Sequence, residues 1–404
     1  MHKLFIIFNF NNLFSTLLKN KLKNEIIMGH FCKTGKISGR LAHRVILFLI
    51  LMILFITLLY ASNDVIHLVH ADRTRGEIID NERIKIFSGN VEFYQDTLHM
   101  YCDEVIIYEK SDRTDFKYNV LLYDGHRKLQ ADKVIYYTKN RVAHCYGKVR
   151  ISEKKDSLYT EKLIYKFKSK NAEAVKNLYM WDKKNDTHIW GDYGIYYSAA
   201  RQSHISGNCR LEYRNKNKKD TLIVTSKKMD YIGRKPKNAI ASDSVYIKQG
   251  KLNATCDSAI YFFNDELIWL RNNPYAWQTD MEMKGTEIDL YLDSLSIYEI
   301  MITERAQIKS LVDSALNKFN ILRGNSIQMF LTDGKPVKVI ARKNASSIYY
   351  IVDDDSLEQG INSASSDSIQ IFFREGAMDS VIIIGGVEGI FYPADYKGEI
   401  KSEY

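Results

Sequence analysis

The sequence repeats itself about every thirty residues over most of its length, and this periodicity restricts the chain to a stacked architecture. One pattern, L-x-A-D-x-V-x-Y, is clearest as LQADKVIYY from Leu129 and returns as LHMYCDEVIIY from Leu98 and LNATCDSAIYF from Leu252. A second pattern, G/N-x-V, runs in phase with the first, as in GNVEF from Gly89 and GKVRI from Gly147. Repeats of this kind bury their apolar faces by stacking on their neighbours.

Each repeat contains two stretches in which apolar and polar residues alternate, as they do in half-buried β-strands. A polar turn joins the G/N-x-V stretch to the L-x-A-D-x-V-x-Y stretch. Tyrosine is abundant, with 27 residues, whereas the chain has 4 prolines. Aromatic side chains suit a pleated surface and proline does not. The sequence therefore predicts an all-β fold made of stacked repeats of two strands each.

The alternation slips by one residue inside the second strand of the repeat. Leu129 and Ala131 are two residues apart, but Ala131 and Val134 are three apart. An aspartate stands at this slip in four repeats, at Asp103, Asp132, Asp192 and Asp257. We expect a bulge or corner there that turns the strand and keeps both apolar halves facing inward. A local turn between the Asp side chain and the backbone is favoured over a metal-binding role.

Two stretches interrupt the period. The segment Ser310–Leu322 has apolar residues at helical spacing, which predicts a short helix packed outside the stack. The segment 351–368 is acidic and rich in serine, which predicts a mobile loop from about Asp353.

The positive charge of the chain lies in its first 61 residues, which hold eight Lys or Arg residues and one acid. Without these nine residues, the 57 basic and 49 acidic residues of the chain fall to 49 basic and 48 acidic residues. The repeats therefore lack the charge excess that nucleic-acid binding requires. Nucleic acid is not expected among the partners.

An uncharged stretch of seventeen residues, VILFLILMILFITLLYA, runs from Val45 to Ala61 and follows four basic residues. A positive flank before an apolar core directs export, and the stretch is predicted to be helical. Seventeen residues are near the short limit for spanning a bilayer core of about 30 Å, so both a cleaved signal and a retained anchor remain open. Met28 is an alternative start to Met1.

The sequence carries no pattern that indicates catalysis. It contains neither HExxH nor GxSxG nor a dinucleotide-binding fingerprint. Its five cysteines form no CxxC pair, and their positions within the repeats predict buried, unpaired thiols. We therefore predict that the protein is not an enzyme and has no metal site and no cofactor.

A stack of such strands would enclose an apolar trough. The residues predicted to line it are Val91, Phe93, Ile106, Tyr108, Val134, Tyr136, Val149, Ile151, Leu163, Tyr165, Leu211, Val245 and Ile247. Such a trough suits an acyl chain, whose exposure to water costs about 0.8 kcal/mol per CH₂. Because neighbouring repeats are chemically alike, a lipid gains little by stopping at any one of them, as a conduit requires.

The alternating units GNVEF, LQADKVIYY and GKVRI resemble the OstA-like family, which contains LptA and the N-terminal domain of LptD. The resemblance covers residues 75–350 and implies a β-taco or β-jellyroll fold in the periplasm. It also implies a carrier that takes lipopolysaccharide, through its lipid A, to the outer membrane. Head-to-tail strand pairing with other proteins of this fold is implied too, and the open ends of a stack also allow self-association.

The predicted organisation is a basic leader (1–44), a signal or anchor (45–61), the repeat domain (75–350), the loop (351–368) and a last repeat with a tail (369–404). The chain is longer than a single LptA unit and too short to add the barrel of LptD. Two other classes stay open. One is an exported structural or adhesive β-solenoid with a filled core, and the other is a carbohydrate-active β-helix enzyme.

Overall fold

The computed structural model describes residues 65–184, 186–214, 221–293, 296–313, 316, 318–352, 358–375 and 377–400. The predicted helical signal or anchor at 45–61 lies outside these residues. Within these ranges, no helix is both long enough and apolar enough to span a membrane.

Every regular element in the described part of the chain is a β-strand, which confirms the all-β prediction. The first twelve strands are β1 (His67–His70), β2 (Arg73–Ile79), β3 (Glu82–Gln95), β4 (Leu98–Tyr108), β5 (Arg113–Tyr123), β6 (Arg127–Tyr137), β7 (Val142–Glu153), β8 (Asp156–Lys166), β9 (Asn171–Asp182), β10 (Thr187–Tyr197), β11 (Gln202–Arg214) and β12 (Thr221–Ile232). The others are β13 (Asn238–Gln249), β14 (Leu252–Phe262), β15 (Leu267–Arg271), β16 (Tyr275–Gln278), β17 (Met281–Lys284), β18 (Glu287–Asp293), β19 (Ser296–Asp313), β20 (Lys318–Thr332), β21 (Lys335–Val352), β22 (Glu358–Arg374), β23 (Ala377–Ile384) and β24 (Glu388–Pro393).

The strands belong to two compact units. Of the described residues, 65–154 and 164–170 form the N-terminal unit, and 155–163 and 171–400 form the C-terminal unit. In the N-terminal unit each strand from β3 to β6 pairs antiparallel with the next one. In the C-terminal unit the strands from β9 to β14 pair in the same way.

The predicted corner is present in the middle of the strands. The pairing of β6 with β7 shifts register between Gln130 and Lys133, at the position of Asp132. On the partner strand, Gly147 and Lys148 both have left-handed backbone angles, with φ of 72° and 43°. Gly is suited to this conformation because it has no Cβ. The G/N-x-V unit is therefore the corner sequence of alternate strands.

In two corners the aspartate has a partner that the sequence did not indicate. Asn119 Nδ2 donates to Asp103 Oδ2 at 2.8 Å, and Asn208 Nδ2 donates to Asp192 Oδ2 at 2.8 Å. Each of these aspartates thus accepts a bond from an asparagine side chain 16 residues later. This bond joins two neighbouring strands where their ladder is interrupted.

Both halves of a strand turn their apolar residues inward. In β6, Leu129 and Ala131 are buried before the corner, and Val134 and Tyr136 are buried after it. The halves on either side of the corners thus form two walls around one core. In the N-terminal unit, wall 1 comprises residues 82–88, 104–117, 133–146 and 164–170, and wall 2 comprises 91–102, 119–131 and 149–154.

The helix predicted at Ser310–Leu322 is wrong. Residues 310–313 end β19 and residues 318–322 begin β20, and these two strands pair antiparallel with Leu311 opposite Phe319. Asp313 Oδ1 accepts a bond from the backbone N–H of Leu316 in the turn, at 3.1 Å. Apolar residues that match one face of a helix are divided here between two paired strands.

The predicted loop at 351–368 is also wrong for residues 358–368, which begin β22, and for 351–352, which end β21. Residues 353–357 lie outside the described part. The small side chains of this segment fit the ladder, since Ala364 and Ser366 are buried and Ser366 pairs with Ala345. Serine richness therefore reflects close packing here and not a mobile connection.

The four cysteines in the described residues are free and buried, as predicted for them. They are Cys102, Cys145, Cys209 and Cys256. Burial raises the pKa of Cys102 to about 12 and those of Cys209 and Cys256 to about 11, and it also raises that of Cys145. These thiols stay protonated at neutral pH and act as small apolar side chains. Cys32 lies outside the described residues.

Candidate functional site

The buried faces of the strands in each unit are the candidate site, and most of the residues predicted to line it are buried in their own unit. Eleven of the thirteen are buried: Val91, Phe93, Val134, Tyr136, Val149, Ile151, Leu163, Tyr165, Leu211, Val245 and Ile247. Ile106 and Tyr108 are only half-buried, and the Arg113 guanidinium lies 4.8 Å from the centre of the Tyr108 ring. The core residue of β4 after its corner is instead Val105, which is 0% exposed.

Val105 was missed although the sequence contained the signal for it. The three-residue step at the corner, seen from Ala131 to Val134, leads from Cys102 to Val105 in β4. A count by two that continues from Leu98 past the corner, without this step, leads instead to Ile106 and Tyr108. The step therefore has to be applied to each repeat separately.

Aromatic rings fill the middle of the N-terminal unit. Phe93 of wall 2 meets Phe87 and Phe116 of wall 1 edge to face, with ring centres 5.4 and 6.2 Å away. Edge-to-face pairs of this kind add about 0.5–1.5 kcal/mol to the burial of the rings. The two walls are therefore in direct contact in this part of the trough.

A pocket with about 260 Å³ of empty space, counted to its open mouth, lies in the N-terminal unit. Its lining is mainly apolar, with two charged residues at one side: Leu98, Leu122, Leu129, Ile151, Tyr165, Phe167, Asp124 and Arg127. Much of this space is open solvent at the mouth, so the pocket encloses far less than the 300–1,000 Å³ of a drug-sized ligand site. An acyl end can enter it only when the surrounding side chains move apart.

Arg127 is the centre of a polar network at the mouth of this pocket. Its Nε donates to Glu153 Oε2 at 2.9 Å, its Nη1 lies 3.8 Å from Asp124 Oδ2, and Nη1 also donates to the Tyr165 hydroxyl. Burial raises the pKa of Tyr165 to about 12, against the opposing effect of the Arg127 charge. The two carboxylates outweigh the single positive charge of Arg127, so the mouth does not offer an unpaired cation to an anion.

A second polar group joins the two walls nearby. The Tyr136 hydroxyl donates to Gln95 Oε1 at 2.6 Å, and both residues are fully buried. Arg141 Nη1 lies 2.8 Å from Asp96 Oδ2 next to this pair. Burial raises the pKa of Tyr136 to about 12, so its hydroxyl remains a donor at neutral pH. No pattern in the sequence indicated this contact, because β3 and β6 are not neighbours in the ladder.

Edge strands of the N-terminal unit and of the C-terminal unit carry exposed apolar residues. At the N-terminal end, β1 and β2 both pair with β3. At the C-terminal end, β23 and β24 both pair with β22. The exposed apolar residues on these strands are Leu68, Val69, Ile78, Ile79, Val381, Ile382, Ile384, Ile390 and Phe391.

The part of the chain that the structure describes holds no group of three or more His, Cys, Asp and Glu side chains placed to bind a metal ion.

Comparison with known proteins finds a match to a family model over part of the chain. Residues 63–222 match the model of a family described as OstA-like protein. Among solved structures, the chain is similar to LptH from Pseudomonas aeruginosa, described as the LptA homologous periplasmic component of the conserved lipopolysaccharide transport device. The two chains are 13% identical, the match covers 35% of this chain and 95% of LptH, and the TM-score is 0.28. None of the curated proteins compared with the chain matches it.

Proposed function

Because residues 63–222 of this chain match the model of the OstA-like family, we propose that the protein is a periplasmic carrier of lipopolysaccharide. Its apolar trough would shield the acyl chains of lipid A from water on the way to the outer membrane. The observation that carries this proposal is the continuous inward apolar set, which repeats strand after strand in each of the two units.

The energetics fit this role. A twelve-carbon acyl chain in water costs about 10 kcal/mol, at about 0.8 kcal/mol per CH₂. Walls lined by Val, Ile, Leu and Phe remove most of that cost. In the N-terminal unit the inward side chains already pack against each other, so loading requires the walls to separate and to exchange these contacts for contacts with lipid.

The edge strands support contact with further domains of the same fold. A strand that is paired on one side only offers free N–H and C=O groups to another strand. The exposed apolar residues of β2 and β23 would be covered by such head-to-tail pairing. The partners would be other OstA-like transport components or a second copy of this chain.

The stretch at 45–61 supports export to the periplasm by its composition, a basic flank before an apolar core. In this proposal it serves either as a cleaved signal or as a tether to the inner membrane. N-terminal sequencing of the mature protein separates the two cases.

One observation favours a second candidate, an exported structural β-solenoid without lipid. The contact of Phe93 with Phe87 and Phe116 is what a permanently filled core would show. A carrier must open this contact, whereas a structural solenoid keeps it.

Bound lipid distinguishes the two functions. The full-length protein, purified from cell envelopes, is extracted with organic solvent and the extract is analysed by mass spectrometry for lipid A. We expect lipid A in the extract, and binding of fluorescent lipopolysaccharide that unlabelled lipopolysaccharide displaces. An extract without lipid A, together with no binding of the fluorescent probe, would contradict the carrier and favour the solenoid.

A further inference from the structure

Three polar contacts in the N-terminal unit join strands that are not neighbours in the ladder. Tyr136 of β6 donates to Gln95 of β3 at 2.6 Å. Arg141, at the turn before β7, pairs with Asp96 at the end of β3, at 2.8 Å. Arg127 of β6 donates to the hydroxyl of Tyr165 in β8. In each pair one residue belongs to wall 1 and the other to wall 2, or to the turn at its end.

The topology places all three contacts on the same side of the trough. The corners join the two walls along one side, so both ends of every strand lie on the opposite side, where the hairpin turns are. Gln95 and Arg127 are at strand ends next to the turns of wall 2, and Tyr136 and Tyr165 are near the turns of wall 1. On this side the walls are held together by side-chain contacts.

We propose that these three contacts form a clasp that closes the open side of the N-terminal unit, and that acyl chains enter there when the clasp opens. The pocket beside Arg127 is the entry site and takes the apolar end of one acyl chain. This inference rests on the proposed lipid-carrying function. It adds to that function the place of entry and the residues that control it.

The chemistry of the clasp suits a reversible closure. A hydrogen bond exchanged for water changes stability by little, because water replaces the partner. The clasp residues lie beside hairpin turns, where water can reach them once the walls part. Apolar contacts such as that of Phe93 with Phe116 have no such replacement in water, but an acyl chain can replace them.

The pocket also favours an acyl end over a phosphate. Its floor is formed by Leu98, Leu122, Leu129 and Ile151. Arg127 is already bonded to Glu153 and close to Asp124, so a phosphate would have to displace a carboxylate and would meet the other one. An uncharged chain end meets none of these costs.

The test removes single hydroxyls and keeps the aromatic rings. Full-length Tyr136→Phe and Tyr165→Phe variants are compared with the wild type for the rate of uptake of a fluorescent dodecanoic acid derivative. A loss of about 1 kcal/mol in the free energy that keeps the clasp closed corresponds to about five-fold faster uptake in each variant. The matched control is Tyr246→Phe, which loses a 2.8 Å bond to Asn253 on the neighbouring strand and touches neither wall of the N-terminal unit.

Hydrogen exchange of the backbone around residues 95–97 and 136–141 gives a second measurement that needs no lipid. We expect faster exchange there in Tyr136→Phe and not in the control. Exchange and uptake that both stay at wild-type rates would overturn the clasp while leaving the carrier function standing. If exchange rises but neither the variants nor the wild type take up the probe, entry at the clasp is overturned, and the lipid A extraction decides the proposed function separately.

Discussion

The glycine of the corner is under two separate constraints. Gly147 has a φ of +72°, and a Cβ on it would lie 2.3 Å from Asp132 Oδ2. Gly125 has a similar backbone angle, with a φ of +86°, but a Cβ added there would have no atom within 4 Å. The two glycines therefore separate the cost of a left-handed backbone from the cost of crowding at the corner.

We expect Gly147→Ala to destabilise the protein more than Gly125→Ala. A left-handed alanine costs about 1–2 kcal/mol in either place. At residue 147 the Asp132 side chain must also move away from the added Cβ, which adds about 2 kcal/mol. Urea denaturation gives the free energies of unfolding. Equal losses in the two variants would show that the close approach of Asp132 has no role in the corner.

The buried tyrosines predict a loss of stability at high pH. The pKa values of Tyr136 and Tyr165 are raised from 10 to about 12, mainly by burial. A group whose pKa is higher in the folded state stabilises that state fully below its unfolded pKa. This stabilisation is therefore complete below pH 10 and is lost as the pH rises from 10 to 12, by about 3 kcal/mol per tyrosine.

Denaturation at pH 9, 10.5 and 12 measures this dependence. We expect the stability difference between the wild type and Tyr136→Phe to change with pH above 10. The control is Tyr118→Phe, because Tyr118 is 61% exposed and its removal should leave the pH dependence unchanged. Parallel curves for the wild type and Tyr136→Phe would contradict the burial of the hydroxyl in the folded state.

At the scale of the strand, the inward and outward positions of β6 should respond differently to the same new side chain. Val134 is 0% exposed, so Val134→Asp loses the burial of a valine and places an unpaired charge in the core. We expect a loss of at least about 3 kcal/mol in the free energy of unfolding. Gln130→Asp, on the exposed face of the same strand, should change it by less than about 0.5 kcal/mol. Similar losses would mean that the wall assignment of β6 is wrong.

Much of the strand pattern could be predicted because it depends on local spacing. The step from Ala131 to Val134 contains the corner, and the residue that follows it is buried in β6 and in β4 alike. The hairpin of β19 and β20 was mistaken for a helix because apolar residues four apart fit a helix face and also fit two paired strands. Spacing along the chain cannot distinguish a helix from a hairpin here. The pairing of Leu311 with Phe319 does so.

The contacts of the clasp could not be predicted for a different reason. Tyr136 and Gln95 are 41 residues apart, and Arg127 and Tyr165 are 38 apart, with at least one strand between them in the ladder. The twist of the sheet decides which strand of one wall faces which strand of the other. A repeat pattern contains no information about this twist. Polar residues at strand ends also look like ordinary turn residues in the sequence.

At the scale of the whole molecule, the edge strands predict association. Ile78 of β2 is 72% exposed and Ile382 of β23 is 47% exposed. Lysine on an edge strand discourages pairing with another chain. We expect Ile78→Lys and Ile382→Lys each to reduce concentration-dependent self-association in sedimentation velocity experiments.

Tyr298→Lys is the control for these variants, because Tyr298 is similarly exposed, at 44%, on β19, which has strands on both sides. Its self-association should match that of the wild type. If all three lysine variants weaken association equally, the added charge and not the edge is responsible.

The ladder within each unit is built mostly from strands that pair with the next strand in the chain. Such a chain can fold one strand at a time, because each new strand needs only the preceding strand to pair with. Contacts close in sequence also form quickly. If such a chain crosses a membrane with its N-terminus first, its first repeats can fold on the far side before the later repeats arrive. Each folded strand then hinders movement of the chain back across the membrane.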